Sequence, residues 1–207
     1  PVKVAVLGMT PLDYAHPDSA FSLRRKLEIA GFEVVSVWAM ENRLSSQLLN
    51  EILSTPEADV TLAVSSSGLE AAQVLYETFG IPCVAGAPVG SFAEDVFEAL
   101  RRAAFLKQEG SAPRLTVTYL ETRNFSEQTS SENNRPLLPS EKPLITAIGE
   151  PVLMGSLAAA RAKDTGSTFR IIAATEHAAS AVSADPGPDI LCRSEEALKN
   201  LLENDTD

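Results

Sequence analysis

The sequence is short of the residues on which several kinds of chemistry depend. It holds two cysteines and two histidines, with no HxxxH or CxxC spacing, so a zinc site built from protein ligands alone is not indicated. Cys83 and Cys192 both stand in apolar, strand-like contexts. A free thiol there behaves as a small hydrophobe, and a disulfide framework is not expected. Basic charge is scarce too: 17 Lys and Arg face 28 Asp and Glu, a formal net charge of −11. Nucleic-acid backbones and anionic membrane surfaces need a basic face, so neither is expected as a partner. No apolar run approaches the roughly 18 to 20 residues of a spanning helix. Nothing at the start reads as a charged segment followed by the apolar stretch of a signal peptide, so a cytoplasmic protein is expected. The chain opens at Pro1 inside a strand pattern and stops soon after Leu201-Leu202 with an acidic tail, which reads as a piece of a longer protein.

What is present is a repeated alternation. Val2-Lys3-Val4-Ala5-Val6-Leu7-Gly8 is a short apolar run closed by glycine, as expected of a buried parallel strand. Residues 18–30 follow at helical spacing, with Asp18 or Ser19 placed to cap and Gly31 to stop. Strand patterns at 32–38, 59–64 and 81–85 then alternate with helical patterns at 44–53, from Ser65-Ser66-Ser67-Gly68 through Phe79, and at 91–107. Four strand–helix units with short connections predict an α/β fold with a doubly wound parallel sheet, Rossmann-like, over residues 1–109. A further strand is read at 115–120. The stretch 110–142 reads as a linker, in part disordered, since Glu121 to Pro143 is rich in Ser, Glu, Asn and Pro. Strands at 144–149, 169–174 and 188–192 with helices at 153–163 and 194–203 predict a second, partial Rossmann-like unit over 143–207.

In an open parallel sheet, ligands bind outside the carboxyl ends of the strands. That directs attention to the loops Met9 to Tyr14, Ala39-Met40, Ser65 to Gly68, Gly86 to Gly90, Gly149-Glu150-Pro151 and Thr175-Glu176-His177. The first of these lacks the GxGxxG fingerprint, and neither a P-loop nor a GxSxG elbow occurs, so dinucleotide or nucleoside triphosphate binding is disfavoured. Ser65-Ser66-Ser67-Gly68 at a helix start could hold an anion, although helix capping is the commoner use of such serines. His16 is expected in solvent, and His177, after Glu176 at a strand end, in a structural role. Trp38 and Met40 read as packing residues, and Asp13 as an Asx-type turn after Pro11.

The order of these loops resembles a family. Val6-Leu7-Gly8-Met9-Thr10-Pro11-Leu12-Asp13, Ala30 to Val35, Trp38, Phe79-Gly80-Ile81-Pro82 and Gly86-Ala87-Pro88-Val89-Gly90 are similar, in order and spacing, to segments of nitrogenase component 1-type oxidoreductases. That family comprises the molybdenum-iron protein subunits, their cofactor-assembly scaffolds and the catalytic subunits of dark-operative protochlorophyllide reductase. Ile148-Gly149-Glu150-Pro151 with Gly155-Ser156-Leu157-Ala158 resembles the opening of the family's next Rossmann-like domain, and Asp189-Ile190-Leu191 with Ser194-Glu195 a later strand-turn-helix.

The resemblance implies a fragment of an oxidoreductase that walls a cavity for a metallocluster or a tetrapyrrole-type substrate. Cofactor or substrate would lie against Thr10, Leu12, Asp13, Ser65, Ser66 and Pro88. It implies an iron-sulfur cluster in the full-length parent, a homologous subunit as partner, and electrons from an ATP-dependent iron-sulfur reductase; Ala72 stands where the family's catalytic subunits carry a cysteine ligand of the cofactor, so no metal ligand and no cofactor is expected within this stretch. Catalytic residues are not assigned. Two other readings stay open at this point: a non-catalytic scaffold for metallocofactor assembly, and a stand-alone Rossmann-like module that binds a small molecule.

Overall fold

A computed structural model of the chain describes residues 1–11, 13–16, 18–39, 45–119, 144–173, 190–191 and 194–204. Leu12, Met40, His177, Cys192 and the segment 121–142 lie outside the described residues. The protein is α/β. Strands β1 (Lys3–Met9), β2 (Glu33–Ala39), β3 (Val60–Ala63), β4 (Cys83–Ala85) and β5 (Leu115–Val117) form one sheet in the order β2-β1-β3-β4-β5. Every neighbouring pair is parallel. Helices α1 (Ser19–Ile29), α2 (Ser45–Ser54), α3 (Leu69–Phe79) and α4 (Ala93–Gln108) connect the strands in turn.

The pleat of β1 shows why the sheet is doubly wound. Successive side chains of a strand point to opposite faces. Val4 and Val6 enter a core with Ala20 and Leu27 of α1 and Val96, Leu100 and Ala103 of α4. Leu7, one position out of phase with them, packs instead with Ala72 and Leu75 of α3 and with Ala63 and Cys83. Both faces of the sheet are therefore covered, and the strands read as continuous apolar runs for that reason. Each fully buried Val or Leu contributes about 1.5–3 kcal/mol.

β5 lies within the stretch read as the beginning of a linker and pairs in register with β4, Cys83 opposite Leu115 and Ala85 opposite Val117. It stops at Val117, short of the 115–120 read from the sequence. A second sheet, β6 (Leu144–Gly149), β7 (Thr168–Ala173) and β8 (Ile190–Leu191), is parallel throughout in that order. Helix α5 (Pro151–Thr165) connects β6 to β7, and α6 (Glu195–Asn204) follows β8. α5 begins two residues before the expected start because Pro151 occupies its first turn, where a missing N–H costs nothing.

α5 packs against β6 and β7 on one side and against the 3-10 turn Gly90–Phe92, which opens α4, on the other. Its inward residues are small, with Gly155, Ser156, Ala158, Ala159, Ala160 and Ala162 all buried. Two hydrogen bonds and an ion pair cross this joint. The Ala87 N–H donates to Ser156 Oγ at 2.8 Å and Ser91 Oγ donates to the Ala160 carbonyl at 3.0 Å. Lys163 Nζ meets Asp95 Oδ2 at 2.5 Å.

Candidate functional site

The strand order places the topological switch point between β1 and β3, since the chain leaves β1 toward β2 on one side and later returns to β3 on the other. Crevices for ligands form at that point, outside the carboxyl ends of the strands. Here the crevice is bounded by the loop after β1 and by the 3-10 turn Ser66–Gly68 after β3.

Two glycines bring those loops into direct contact. Gly8 has φ +83, and a Cβ there would lie 2.8 Å from Ser65 Oγ and 2.9 Å from the Ser65 carbonyl oxygen. A Cβ on Gly68 would lie 2.9 Å from both Gly8 N and the Leu7 carbonyl carbon. Only residues without a side chain allow so close an approach. The contact is then sealed by hydrogen bonds. Ser65, fully buried, donates its hydroxyl to the Gly8 carbonyl at 2.6 Å. Its oxygen lies 2.6 Å from Ser67 Oγ, so Ser67 is the donor of that second bond. The expected capping role of these serines is therefore corrected: Ser65 makes no side-chain cap bond, and its hydroxyl ties β1 to β3 instead. Asp18 likewise caps α1 without a side-chain bond.

The loop after β1 folds back over the same place. Thr10 Oγ1 donates to Asp13 Oδ2 at 2.9 Å, and the Asp13 N–H donates to the Thr10 carbonyl at 3.2 Å, so Asp13 closes a backbone turn braced by the Thr10 hydroxyl rather than the Asx-type turn expected. Tyr14, just beyond, donates its hydroxyl to the Val64 carbonyl at 3.0 Å. Burial first, and then the negative charges of Glu150 and Asp13, push its phenol well above the ordinary tyrosine range. Tyr14 is neutral at any ordinary pH and acts here as a hydrogen-bond donor.

Glu150, from the Gly149-Glu150-Pro151 loop indicated by the sequence but not taken there as a site residue, joins the two loops. It is the N-cap of α5, and Glu150 Oε2 accepts from the Leu153 N–H at 2.7 Å. Its other oxygen, Oε1, accepts from the Ser66 N–H at 2.7 Å, across 84 positions of sequence. One carboxylate thus receives the N–H groups at the start of two helical segments, where partial positive charge gathers. The anion anticipated at Ser65-Ser66-Ser67-Gly68 is supplied by the chain itself. Burial raises the Glu150 carboxyl above the usual range, and the hydrogen bonds from Leu153 and Ser66 offset part of that rise. Tyr119 also feels this charge; burial, and secondarily Glu150, push its phenol up. A sequence signal for Glu150 did exist. Glutamate is not a favoured N-cap residue, so its position directly before Pro151 called for a second partner.

Of the residues expected at the site, the structure gathers Thr10, Asp13, Ser65 and Ser66 at the switch point. Pro88 belongs to the neighbouring loop after β4, where its carbonyl accepts from Lys26 Nζ at 2.6 Å. Leu12 lies outside the described residues. His16 is exposed and its Nδ1 accepts from the Asp18 N–H. Trp38 packs against the Leu7–Cys83 core, its indole N–H donating to Thr55 Oγ1 at 2.9 Å.

Cys83 is buried in β4, and burial pushes its thiol up to about 11, although hydrogen bonds involving Thr61 and Ala63 act the other way. A thiol in that state is a poor nucleophile and a poor ligand. Cys83 is therefore expected to resist iodoacetamide at pH 8 in the folded protein and to label fully in urea, as read by peptide mass mapping. Labelling at the rate of an exposed cysteine in the native protein would contradict the buried assignment.

Among the described residues, no group of three or more His, Cys, Asp or Glu side chains is placed to hold a metal ion. None of the helices among them is long and apolar enough to cross a membrane. No family model, no curated protein and no solved structure matches the chain.

Proposed function

We propose that the chain is part of a nitrogenase component 1-like oxidoreductase, in which it walls a cavity for a metallocluster or a tetrapyrrole-type substrate. The observation that carries this reading is convergence. The Gly8-to-Asp13, Gly86-to-Gly90 and Ile148-to-Ala158 segments are far apart in sequence and meet at the carboxyl edge of the first sheet, whereas Ala30 to Val35 and Phe79 to Pro82 lead into β2 and β4 at its opposite edge. Glu150 of the Gly149-Glu150-Pro151 segment reaches Ser66, and Ser156 of the Gly155-Ser156 segment reaches Ala87 of the Gly86-to-Gly90 loop. The Gly8-to-Asp13 loop closes on Ser65 beside them.

The described residues do not fit direct ligation of a metallocluster, because Cys83 is sealed in the sheet and no donor group gathers elsewhere among them. This stretch would contribute walls, hydrogen-bond donors and electrostatics, while the redox chemistry would belong to the group it encloses. Its partners would be a homologous subunit that completes the cavity and an ATP-dependent iron-sulfur reductase that delivers electrons.

The test is anaerobic isolation of the native protein with the subunits that accompany it, followed by iron and acid-labile sulfide analysis and EPR. Iron and sulfide in cluster stoichiometry, with a signal that appears or disappears on reduction, would support the redox reading. A protein metal-free even after reconstitution would sink it. That result would leave the second reading, a small-molecule-binding module, which the β1/β3 switch point favours on its own.

A further inference from the structure

We propose that helix α2 is a self-association surface: its outward face, Leu49, Ile52 and Leu53, packs on the same face of a second copy of the chain across a twofold axis. This does not rest on the redox reading above.

A helix lying on a sheet normally turns its apolar stripe inward and its polar residues to water. Among the described side chains of α2 this arrangement is reversed. Glu51 and Ser54 face β2. Glu51 Oε2 accepts from the Val37 N–H at 3.0 Å, Glu51 Oε1 accepts from Arg24 Nη2 at 3.0 Å, and Ser54 Oγ donates to the Val35 carbonyl at 3.0 Å. Thr55, directly after the helix, continues that polar side by donating to Ser36 Oγ at 2.9 Å. The opposite side carries Leu49, Ile52 and Leu53, which are 56%, 38% and 66% exposed. Their spacing of three and four residues puts them on one face of the helix. Singly exposed apolar residues are ordinary, whereas a contiguous apolar row marks an interaction surface.

The polar side of α2 also closes another route to a partner. β2 is an edge of the first sheet, with β1 as its neighbour, and the backbone of an edge strand can recruit a strand from another chain. Here the Val34 carbonyl accepts from Arg24 Nη1 at 2.7 Å, while Ser54 and Glu51 occupy the Val35 carbonyl and the Val37 N–H. A partner at this edge therefore meets the apolar row of α2.

Charge selects the occupant. From Leu44 to Pro56 the one charged residue is Glu51, and its carboxylate is turned inward to Arg24 and Val37. A strongly basic or acidic partner finds no complementary group on this row. An anionic membrane would need Lys or Arg along the helix. The chain as a whole carries −11, so two copies repel each other except where their surfaces are neutral. The row is neutral, and a second copy matches it by identity. Leu49 and Leu53 form an i, i+4 ridge, and such ridges from two helices interdigitate at a crossing angle of about −50°. A twofold axis permits this because the same patch serves both sides. Three half-exposed side chains fall short of the roughly 800 Å² per partner of a standard interface. They form its apolar centre, and the dimer is expected to dissociate in the micromolar range.

The experiment is sedimentation velocity on the full chain at pH 7.5 under reducing conditions, from about 1 to 300 µM. A concentration-dependent dimer is expected. It should strengthen between 50 and 500 mM salt, because salt screens the repulsion between acidic copies and leaves the apolar contact intact. Leu53→Glu is expected to raise the dissociation constant on the order of 30-fold or more, and Leu49→Gln to weaken the dimer in the same direction. Phe105→Glu, on α4, which packs on β3 and β4, is expected to change it by no more than about twofold. A chain monomeric at 300 µM would overturn the proposal and leave the row to a different protein. So would a dimer that survives Leu53→Glu, one that Phe105→Glu breaks as well, or one that weakens with salt. Circular dichroism checks the fold of each variant, and Leu49→Gln decides should Leu53→Glu not fold.

Discussion

Gly68→Ala is expected to destabilise the fold by about 3 kcal/mol, the upper part of the range for overpacking. The reason is space alone. Gly68 has φ −84 and ψ −14, a conformation that alanine adopts readily. What the new methyl group meets is the backbone of Gly8 and Leu7 at 2.9 Å. Leu7 belongs to a central, fully buried strand that is paired on both sides, so it cannot withdraw as a flexible side chain would. Gly80→Ala supplies the contrast. Gly80 has φ +66 but open space around it, so only the left-handed backbone is penalised, about 1–2 kcal/mol. Urea unfolding curves with unchanged slopes would rank the two variants. A Gly68→Ala protein no less stable than Gly80→Ala would show that the two loops are not in the close contact described.

The second large effect is expected at Phe92, the largest fully buried side chain of the molecule's described part. It sits in the 3-10 turn on which α5 packs and joins the same core as Val152, Ala159 and Ala160. Phe92→Ala removes a whole ring from a site walled by both sheets' helices, at a cost of about 3–5 kcal/mol. For a chain of this size, that is a fall in Tm of roughly 6–20 °C. Phe105, 58% exposed on α4, is the matched control, and Phe105→Ala is expected to stay within about 0.5 kcal/mol of the wild type. Differential scanning calorimetry separates the two outcomes, and equal losses would mean that Phe92 is not part of a shared core.

The fold was largely legible in the sequence, and the physical reason is local. A strand buried on both faces must be apolar along its length, so Val4 to Leu7, Val60 to Ala63 and Ile171-Ile172 announce themselves without reference to anything else. The helix end at Gly80 is read the same way, from a single residue suited to a left-handed turn. The site was legible only in outline. The rule that loops at strand carboxyl ends form sites directs attention to Thr10, Asp13, Ser65 and Ser66, and the structure brings these together. The partner of each was hidden, because it lies far along the chain. Ser65 resembles a cap until the Gly8 carbonyl, 57 positions away, is seen to accept its hydrogen bond. Glu150 stands in a loop at a strand end, but nothing local names Ser66, 84 positions away, as its partner. The strand order β2-β1-β3-β4-β5, which locates the switch point, also depends on pairing that no local pattern contains.

Helix α5 meets its neighbours through glycine, alanine and serine, and this has a consequence for how the sequence can drift. A methyl group on Gly155 would sit 2.6 Å from Cδ2 of the Tyr119 ring. Positions 119 and 155 therefore share one volume, and neither can be enlarged alone. Natural versions of this protein should vary the two as a pair, a larger residue at 155 accompanied by a smaller one at 119, even where polar positions on the outer face of the same helix change freely.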